Sequence, residues 1–411
     1  MRKKSYRQFF ALRKSIVAVL SMAILVGMGE RLAERFLPLY LLALGAGPIV
    51  IGLLNAMDNL LSALYSFPAG YLSDHLGTKR ALIVFNVAAM VGFLIVILIP
   101  TWPAVIVGAV FFLSWTSLSL PATMSLVADV LPSNKRTMGV TMHSFVRRIP
   151  MALGPVFGGM CIHLWGVTNG VRIAFVAAFV MAGVALFLQQ ILIVDDSASK
   201  QGESPRRRAE KNPLKVFREM SPALKNLLVA DILVRFCEQI PYAFVVIWAV
   251  QIIRSPITPL QFGILTSIEM VTAMLIYIPV AYFADRSRKK PFIVITFVFF
   301  TLFPLVLLFC QSFGLLAAAF VLRGLKEFGE PTRKALIMDL APEDRKAGMF
   351  GLYYLLRDVV VAGGAFGGGL LWMISPATNF LVAFAFGIIG TVWFIIRGRD
   401  IGKLDSEATS E

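Results

Sequence analysis

Asp231, Arg235 and Glu238 follow one another at intervals of four and three inside the apolar run 223–253. On a helix they share one stripe, with Arg235 in reach of either acid. Arg323, Lys326, Glu327, Glu330 and Lys334 keep to one side of a second run, 313–340. Glu30, Arg31, Glu34 and Arg35 stand near the middle of 15–43, Asp58 lies in 49–73, Arg147 in 137–164 and Arg357 in 345–373. An ionised side chain at the centre of a bilayer costs about 2.5–3.5 kcal/mol, so these groups must face protein or water. Carboxyls in such places can take up and release protons, because burial and a neighbouring arginine push their pKa in opposite directions. Guanidinium groups there can hold an anionic or zwitterionic group of a solute. Glu30, Glu34, Asp58, Glu238 and Glu330 are therefore the candidates for proton coupling. Arg31, Arg35, Arg147, Arg235, Arg323 and Arg357 are the candidates for contact with substrate in a cavity. Locking helices together explains such a set poorly, since buried ion pairs are weak sources of stability.

The elements that must carry these groups are membrane spans. Hydrophobic residues make up 58% of the chain and charged residues 15%, with a mean hydropathy of +0.77, outside the usual range of soluble domains. Apolar runs long enough to cross a bilayer, about 20 residues, lie at 15–43, 49–73, 79–100, 103–130, 137–164 and 171–194. Six more lie at 223–253, 258–284, 290–310, 313–340, 345–373 and 379–396. The fold class is an all-α membrane protein with twelve transmembrane helices in two sets of six. Helices 3, 6, 9 and 12 have no charge in their interiors, which leaves every third helix free to face lipid. The expected domains are a six-helix bundle over 1–194, a cytoplasmic linker over 195–222 and a second bundle over 223–411 with a short tail. The linker is rich in charge and in Ser, with Arg206-Arg207-Arg208 at its middle, and is too short for a core of its own.

The two sets are copies. Residues 121–159 lie over 331–369 without a gap, setting Pro121 on Pro331, Asp129 on Asp339, Arg147 on Arg357 and Gly158-Gly159 on Gly368-Gly369. A second match sets Gly52, Asp58, Asp74 and Lys79 on Gly263, Glu269, Asp285 and Lys290. An internal repeat of this size decides architecture before local detail does. The symmetry is incomplete, for Leu113 stands opposite Arg323.

The net charge of +15 follows from orientation. Basic residues crowd the N-terminus, the even-numbered loops, the linker and the tail, while Arg172 and Arg254 are those on the other side. The positive-inside rule places both termini in the cytoplasm. Scattered over short loops, these charges do not make a nucleic-acid surface. The first apolar run continues to residue 43 and holds four charges, which makes it an uncleaved helix and not a signal peptide. Cys161, Cys237, Cys310 and the three histidines have no metal-like spacing, so neither a metal nor a cofactor is expected. An enzyme and an ATP-driven pump are likewise not expected, since no nucleotide-binding motif is present.

Between helices 2 and 3 stands Gly70-Tyr71-Leu72-Ser73-Asp74-His75-Leu76-Gly77-Thr78-Lys79-Arg80. This run resembles the signature loop of the major facilitator superfamily of secondary transporters, with His75 where the family has Arg or Lys. The second copy, Ala281 to Lys290, keeps Asp285 and the basic cluster and loses both glycines. The resemblance implies a cytoplasmic gate made by Gly70, Asp74, Gly77, Lys79, Arg80, Asp285, Arg286 and Lys290. A carboxylate such as Asp74 suits the amides of a neighbouring helix N-terminus, and Lys79 and Arg80 suit lipid headgroups. Gly154-Pro155-Val156-Phe157-Gly158-Gly159 on helix 5 is similar to an element of proton-exchanging exporters. The arginine that proton-coupled members carry on helix 4 is missing.

The resemblance implies alternating access by two bundles about a midplane site. The expected function is proton-coupled export of a drug-like or metabolite substrate, with proton-coupled uptake of an organic anion or zwitterion and lipid flipping as alternatives. A receptor or scaffold would need an added domain or long tail. The expected partners are a small-molecule substrate, protons and the lipid bilayer, with the protein a monomer in a bacterial inner membrane.

Overall fold

The computed structural model describes residues 14–76, 78–113, 133–192, 217–284, 288–342 and 346–399. Every regular element among them is a helix. In chain order these are α1 (Lys14–Glu34), α2 (Leu37–Ala43), α3 (Pro48–Leu76), α4 (Thr78–Leu98), α5 (Trp102–Phe112), α6 (Ser133–Leu192) and α7 (Pro222–Tyr242). There follow α8 (Val245–Ile247), α9 (Pro259–Ala284), α10 (Lys289–Phe309), α11 (Phe313–Leu325), α12 (Glu330–Asp339), α13 (Lys346–Ile374) and α14 (Pro376–Arg397). They fall at the twelve positions read from the sequence, the fourth through its first half. Seven of the described helices are long and apolar enough to cross a membrane, or up to eight if the bent pair of α7 and α8 is one span. One of the seven, α6, has the length of two passes at 60 residues, and its backbone breaks at Gly166, where φ is +75°. That left-handed conformation suits glycine and ends the fifth span where the sequence expected it to end.

Three spans expected as continuous helices are interrupted, each beside a proline. The first turns at Arg35-Phe36, between α1 and α2, with Pro38 in the new first turn. The seventh bends by 42° between α7 and the segment Val245–Ile252. Pro241 has no N–H to donate and crowds the preceding turn, and the chain tightens, Phe244 N–H bonding to the Pro241 carbonyl at 2.8 Å. Two buried asparagines occupy carbonyls at this break. Asn55 Nδ2 donates to the Gln239 carbonyl at 2.7 Å and Asn379 Nδ2 to that of Ile240 at 3.3 Å. Beyond α8 the chain makes one π-helical turn, Trp248–Ile252. The tenth span breaks between Lys326 and Gly329, ahead of Pro331. There the amides of Lys326, Glu327 and Phe328 reach back three residues instead of four, and Thr296 Oγ1 accepts the Gly329 N–H.

The chain folds into two compact units. Unit 1 contains Met1–Gly47, Leu60–Ser204 and Thr258–Ser267, and unit 2 contains Pro48–Asn59, Pro205–Ile257 and Ile268–Glu411. In unit 1, α1 packs along α6, and α4 on α5 and α6. Phe93, Phe112 and Phe175 form an aromatic core there, with ring centroids 5.3–5.8 Å apart. The glycines near Pro155 permit close approach: a Cβ at Gly158 would collide with the Leu32 carbonyl, and one at Gly263 with that of Pro155. In unit 2, α7 packs on α13, α14 and α10, around a core that includes Leu224, Leu227, Phe297, Leu336, Ile337, Met349 and Phe394. Helices expected to face lipid carry outward apolar stripes, such as Val84, Val87, Val91, Leu94 and Leu98 on α4. Val180, Val184, Phe187 and Ile191 make the corresponding stripe on α6, at spacings of three and four.

Candidate functional site

The stripe on α7 carries one end of a charged network inside unit 2. Asp231, Arg235 and Glu238 share a face, as their spacing requires. Arg235 Nη1 donates to Glu238 Oε2 at 2.6 Å, its Nε lies 3.9 Å from Asp231, and its Nη2 lies 3.5 Å from Glu330 on α12. Lys326, at the end of α11, donates to Glu238 Oε1 at 2.7 Å and to Glu269 of α9 at 3.1 Å. Arg323 lies one turn before it, with Nε 3.2 Å from the same Glu269 oxygen. Towards the other end Arg333 bonds to Asp231 and to both oxygens of Glu330, each at 2.7 Å. Tyr353 Oη donates to Asp231 at 3.1 Å, and Arg357 lies 3.6 Å from Asp231 while bonding to Asp358 at 2.7 Å.

Apart from the exposed Lys334, which reaches Glu330 at 3.5 Å, these contacts join five acids to five bases. The acids are Asp231, Glu238, Glu269, Glu330 and Asp358, and the bases Arg235, Arg323, Lys326, Arg333 and Arg357. Ionised throughout, the set is neutral, which is the condition for keeping so many charges out of water. Its centre is dry, with Asp231, Glu269 and Arg333 no more than 1% exposed, while the Arg235 and Asp358 side chains are 20% exposed. Aromatic rings supply much of the wall. Arg235 and Lys326 lie over Phe300, and Arg357 lies 4.3 Å from the Tyr354 ring centroid.

A small cavity opens in this network, lined by Glu238, Val245, Phe299, Phe300, Phe303, Arg323 and Lys326. The breaks in the seventh and tenth spans build it. The bend after Pro241 carries Val245 to the wall, and the interruption after Lys326 lets that side chain reach Glu238 and Glu269. Arg323 is 3% exposed and sits among Phe303, Tyr242 and Phe320 at 5.0, 5.4 and 5.6 Å from their ring centroids.

Of the candidates read from sequence, Arg235, Glu238, Arg323, Glu330 and Arg357 come together here. Glu30, Arg31 and Glu34 form a separate cluster in unit 1, where Arg31 Nη1 donates to Glu34 at 2.7 Å and its Nη2 lies 3.8 Å from Glu30. Arg147 belongs to that cluster, within electrostatic reach of Arg31 and Glu30. Arg35 lies half-buried at the turn between α1 and α2, and Asp58 half-buried on α3. Arg333 and Tyr353 did not stand out in the sequence. A continuous tenth helix puts Lys334, three turns on from Arg323, on the charged face and turns Arg333 aside. The break before Pro331 resets the phase and buries Arg333 instead.

Of the expected gate residues, Gly77, Asp285, Arg286 and the Asp74 side chain lie outside the described residues, and Gly70 lies within α3. Arg80 is exposed, as a headgroup anchor should be. Lys79 and Lys290, related by the repeat, both meet helix ends. Lys79 Nζ donates to the Gln190 carbonyl at 3.3 Å near the end of α6, and Lys290 Nζ to those of Ile395 and Gly398 at 2.8 and 2.7 Å, in the last turn of α14 and just beyond it. Cations are favoured at these carbonyl ends by the helix dipole.

A family model described as Major Facilitator Superfamily matches residues 19–253 and again 227–410, so the repeat is visible in the match itself. The chain belongs to the major facilitator superfamily. An uncharacterized MFS-type transporter of Methanocaldococcus jannaschii is 23% identical over 371 residues, 88% of this chain and 89% of that one. Another, of Bacillus subtilis, is 27% identical over 135 residues, 32% of this chain and 34% of its own. A peptide transporter crystallised with sulfate has the same fold, with a TM-score of 0.77 at 15% identity over 95% of this chain and 94% of that one. So does a nucleoside transporter, with a TM-score of 0.76 at 14% identity over 94% of this chain and 100% of that one. As a member of the major facilitator superfamily the protein is an integral membrane transporter, and its activity is secondary transport of a small solute.

Proposed function

We propose that the protein couples solute movement to protons by alternating access, with Glu238 as the group that takes up and releases the proton. The neutral, buried network around the cavity carries this reading. Glu238 and Glu330 are each bonded through both oxygens, and of the two it is Glu238 that lines the cavity. Protonating Glu238 leaves one uncompensated positive charge among Arg235, Lys326 and Arg323, in a place where little water can offset it. A negatively charged group on the solute offsets it. Proton and solute then bind together, which favours uptake of an organic anion or zwitterion with a proton over export in exchange for one. The Gly154 to Gly159 element, which pointed to exchange, has a packing role: Gly154 and Gly158 lie against the backbone of Arg31 and Leu32. In this reading the protein works as a monomer in a bacterial inner membrane; the distribution of basic residues supports the cytoplasmic placing of both termini.

The test uses proteoliposomes and a labelled solute found by thermal stabilisation of the purified protein, since a ligand of the folded state raises its stability. With wild type, an inward proton gradient drives accumulation above the external concentration. With Glu238→Gln the gradient drives none, while exchange of labelled for unlabelled solute persists. Gradient-driven accumulation by Glu238→Gln equal to wild type rejects Glu238 as the proton site.

A further inference from the structure

Resting on the proton-coupled reading above, we infer that the cavity holds one ordered water molecule between Lys326 and Glu238, and that the proton reaches Glu238 through it. The space suits about one water. A water is retained in a protein interior where it finds polar partners, and Glu238, Arg323 and Lys326 supply them here. Lys326 is the donor. Two of its three N–H groups go to Glu238 and Glu269, at 2.7 and 3.1 Å, and the third is left for the water. Glu238 is the acceptor. Its oxygens each take one bond, from Lys326 and from Arg235, and a carboxylate has room for about four. Val245, Phe299, Phe300 and Phe303 complete the wall, and none of these side chains accepts a conventional hydrogen bond. A water whose oxygen takes the Lys326 N–H therefore points a hydrogen at Glu238.

The side chains bonded to Glu238 do not deliver a proton from outside. Arg235 keeps its own at any ordinary pH. A proton passed from Lys326 to Glu238 neutralises the pair and adds no charge to the network. Beyond these two stand Arg323 on α11, Glu269 on α9, Asp231 on α7, and Glu330 with Arg333 on α12, each reaching Glu238 only through Arg235, Lys326 or the cavity. A water can both give and receive. One of its O–H bonds breaks as the O–H of the Glu238 carboxyl forms, and its oxygen takes up a proton that has come from the aqueous phase past the partly exposed Glu238 and Arg235. The water is restored, one proton has been added to Glu238, and nothing is oxidised or reduced. Lys326 and Arg323 repel positive charge on the water, so hydronium does not persist there and the two transfers occur together.

The test is infrared difference spectroscopy, acid minus neutral, on the purified full chain in bilayers, recorded in ordinary water and in water of the heavy oxygen isotope. Only water bands shift with the isotope. Wild type shows a sharp O–H stretch that shifts, together with the C=O stretch of a protonated carboxyl. Glu238→Gln loses the carboxyl band and displaces the water band. Val245→Leu fills the cavity with one more methylene. Its water band disappears, and the ratio of gradient-driven accumulation to solute exchange falls roughly tenfold or more. Val245→Ala leaves the space open and keeps the water band, whereas a mere packing role for Val245 is disturbed by both variants. If Val245→Leu fails to fold, Phe299→Trp fills the same space from α10 and is read in the same way. A wild type without an isotope-shifted band overturns the inference. A Glu238-linked water band in a protein whose transport ignores the proton gradient leaves the water site standing and sinks the coupling. Gradient-driven accumulation at the wild-type ratio after the water band is lost does the reverse.

Discussion

Arg333 shows how much one side chain decides. It is 1% exposed and holds Asp231 and both oxygens of Glu330, so removing it leaves two acids without their main counter-charge in a dry interior. Arg333→Met is predicted to destabilise the protein by about 3–5 kcal/mol, the usual effect of breaking a buried pair from one side. Adding Asp231→Asn recovers part of that loss, because one orphaned charge is then gone. Equal melting temperatures for wild type and Arg333→Met contradict the assigned role. The stripe of Asp231, Arg235 and Glu238 was legible in the sequence, since four- and three-residue spacing survives in any helix that stays intact. Arg333 was not, because its burial depends on an interruption of the tenth span and not on its distance from other charges.

That interruption belongs to a pattern among the elements. The apolar runs were legible as spans because length and hydropathy suffice for a bilayer, and the boundary at Gly166 followed from loss of the apolar pattern. The breaks inside the first, seventh and tenth spans were not, although Pro38, Pro241 and Pro331 stood beside each of them. A proline in a membrane helix is tolerated when neighbours satisfy the backbone it frees, and sequence alone does not name those neighbours. At the seventh span Asn55 and Asn379 serve the carbonyls of Gln239 and Ile240. Asn55→Ala leaves the half-buried Gln239 carbonyl without this bond and is predicted to cost about 1 kcal/mol in thermal or denaturant unfolding. Asn55→Asp, which keeps the shape but cannot donate when ionised, does not restore it. A stability for Asn55→Ala within error of wild type contradicts the capping role.

For the whole molecule, the repeat predicted two related halves, and the halves divide the chemistry unequally. Arg147 and Arg357 are repeat partners, yet Arg357 joins the ten-membered network while Arg147 joins the smaller cluster of Glu30, Arg31 and Glu34. Leu113 opposite Arg323 announced that asymmetry in the sequence. Membrane orientation is a property of this scale too. A protease-cleavable tag on either terminus is predicted to be removed in inside-out vesicles and protected in right-side-out ones, and the opposite pattern refutes the orientation. Coupling is tested most directly without any imposed gradient. Proteoliposomes loaded with a pH-sensitive dye receive a labelled solute found by thermal stabilisation, one whose charge does not change near neutral pH, at equal pH on both sides. The account predicts that wild type acidifies the lumen as the solute enters and that Glu238→Gln does not. Entry of labelled solute through wild type with no change in lumenal pH contradicts it.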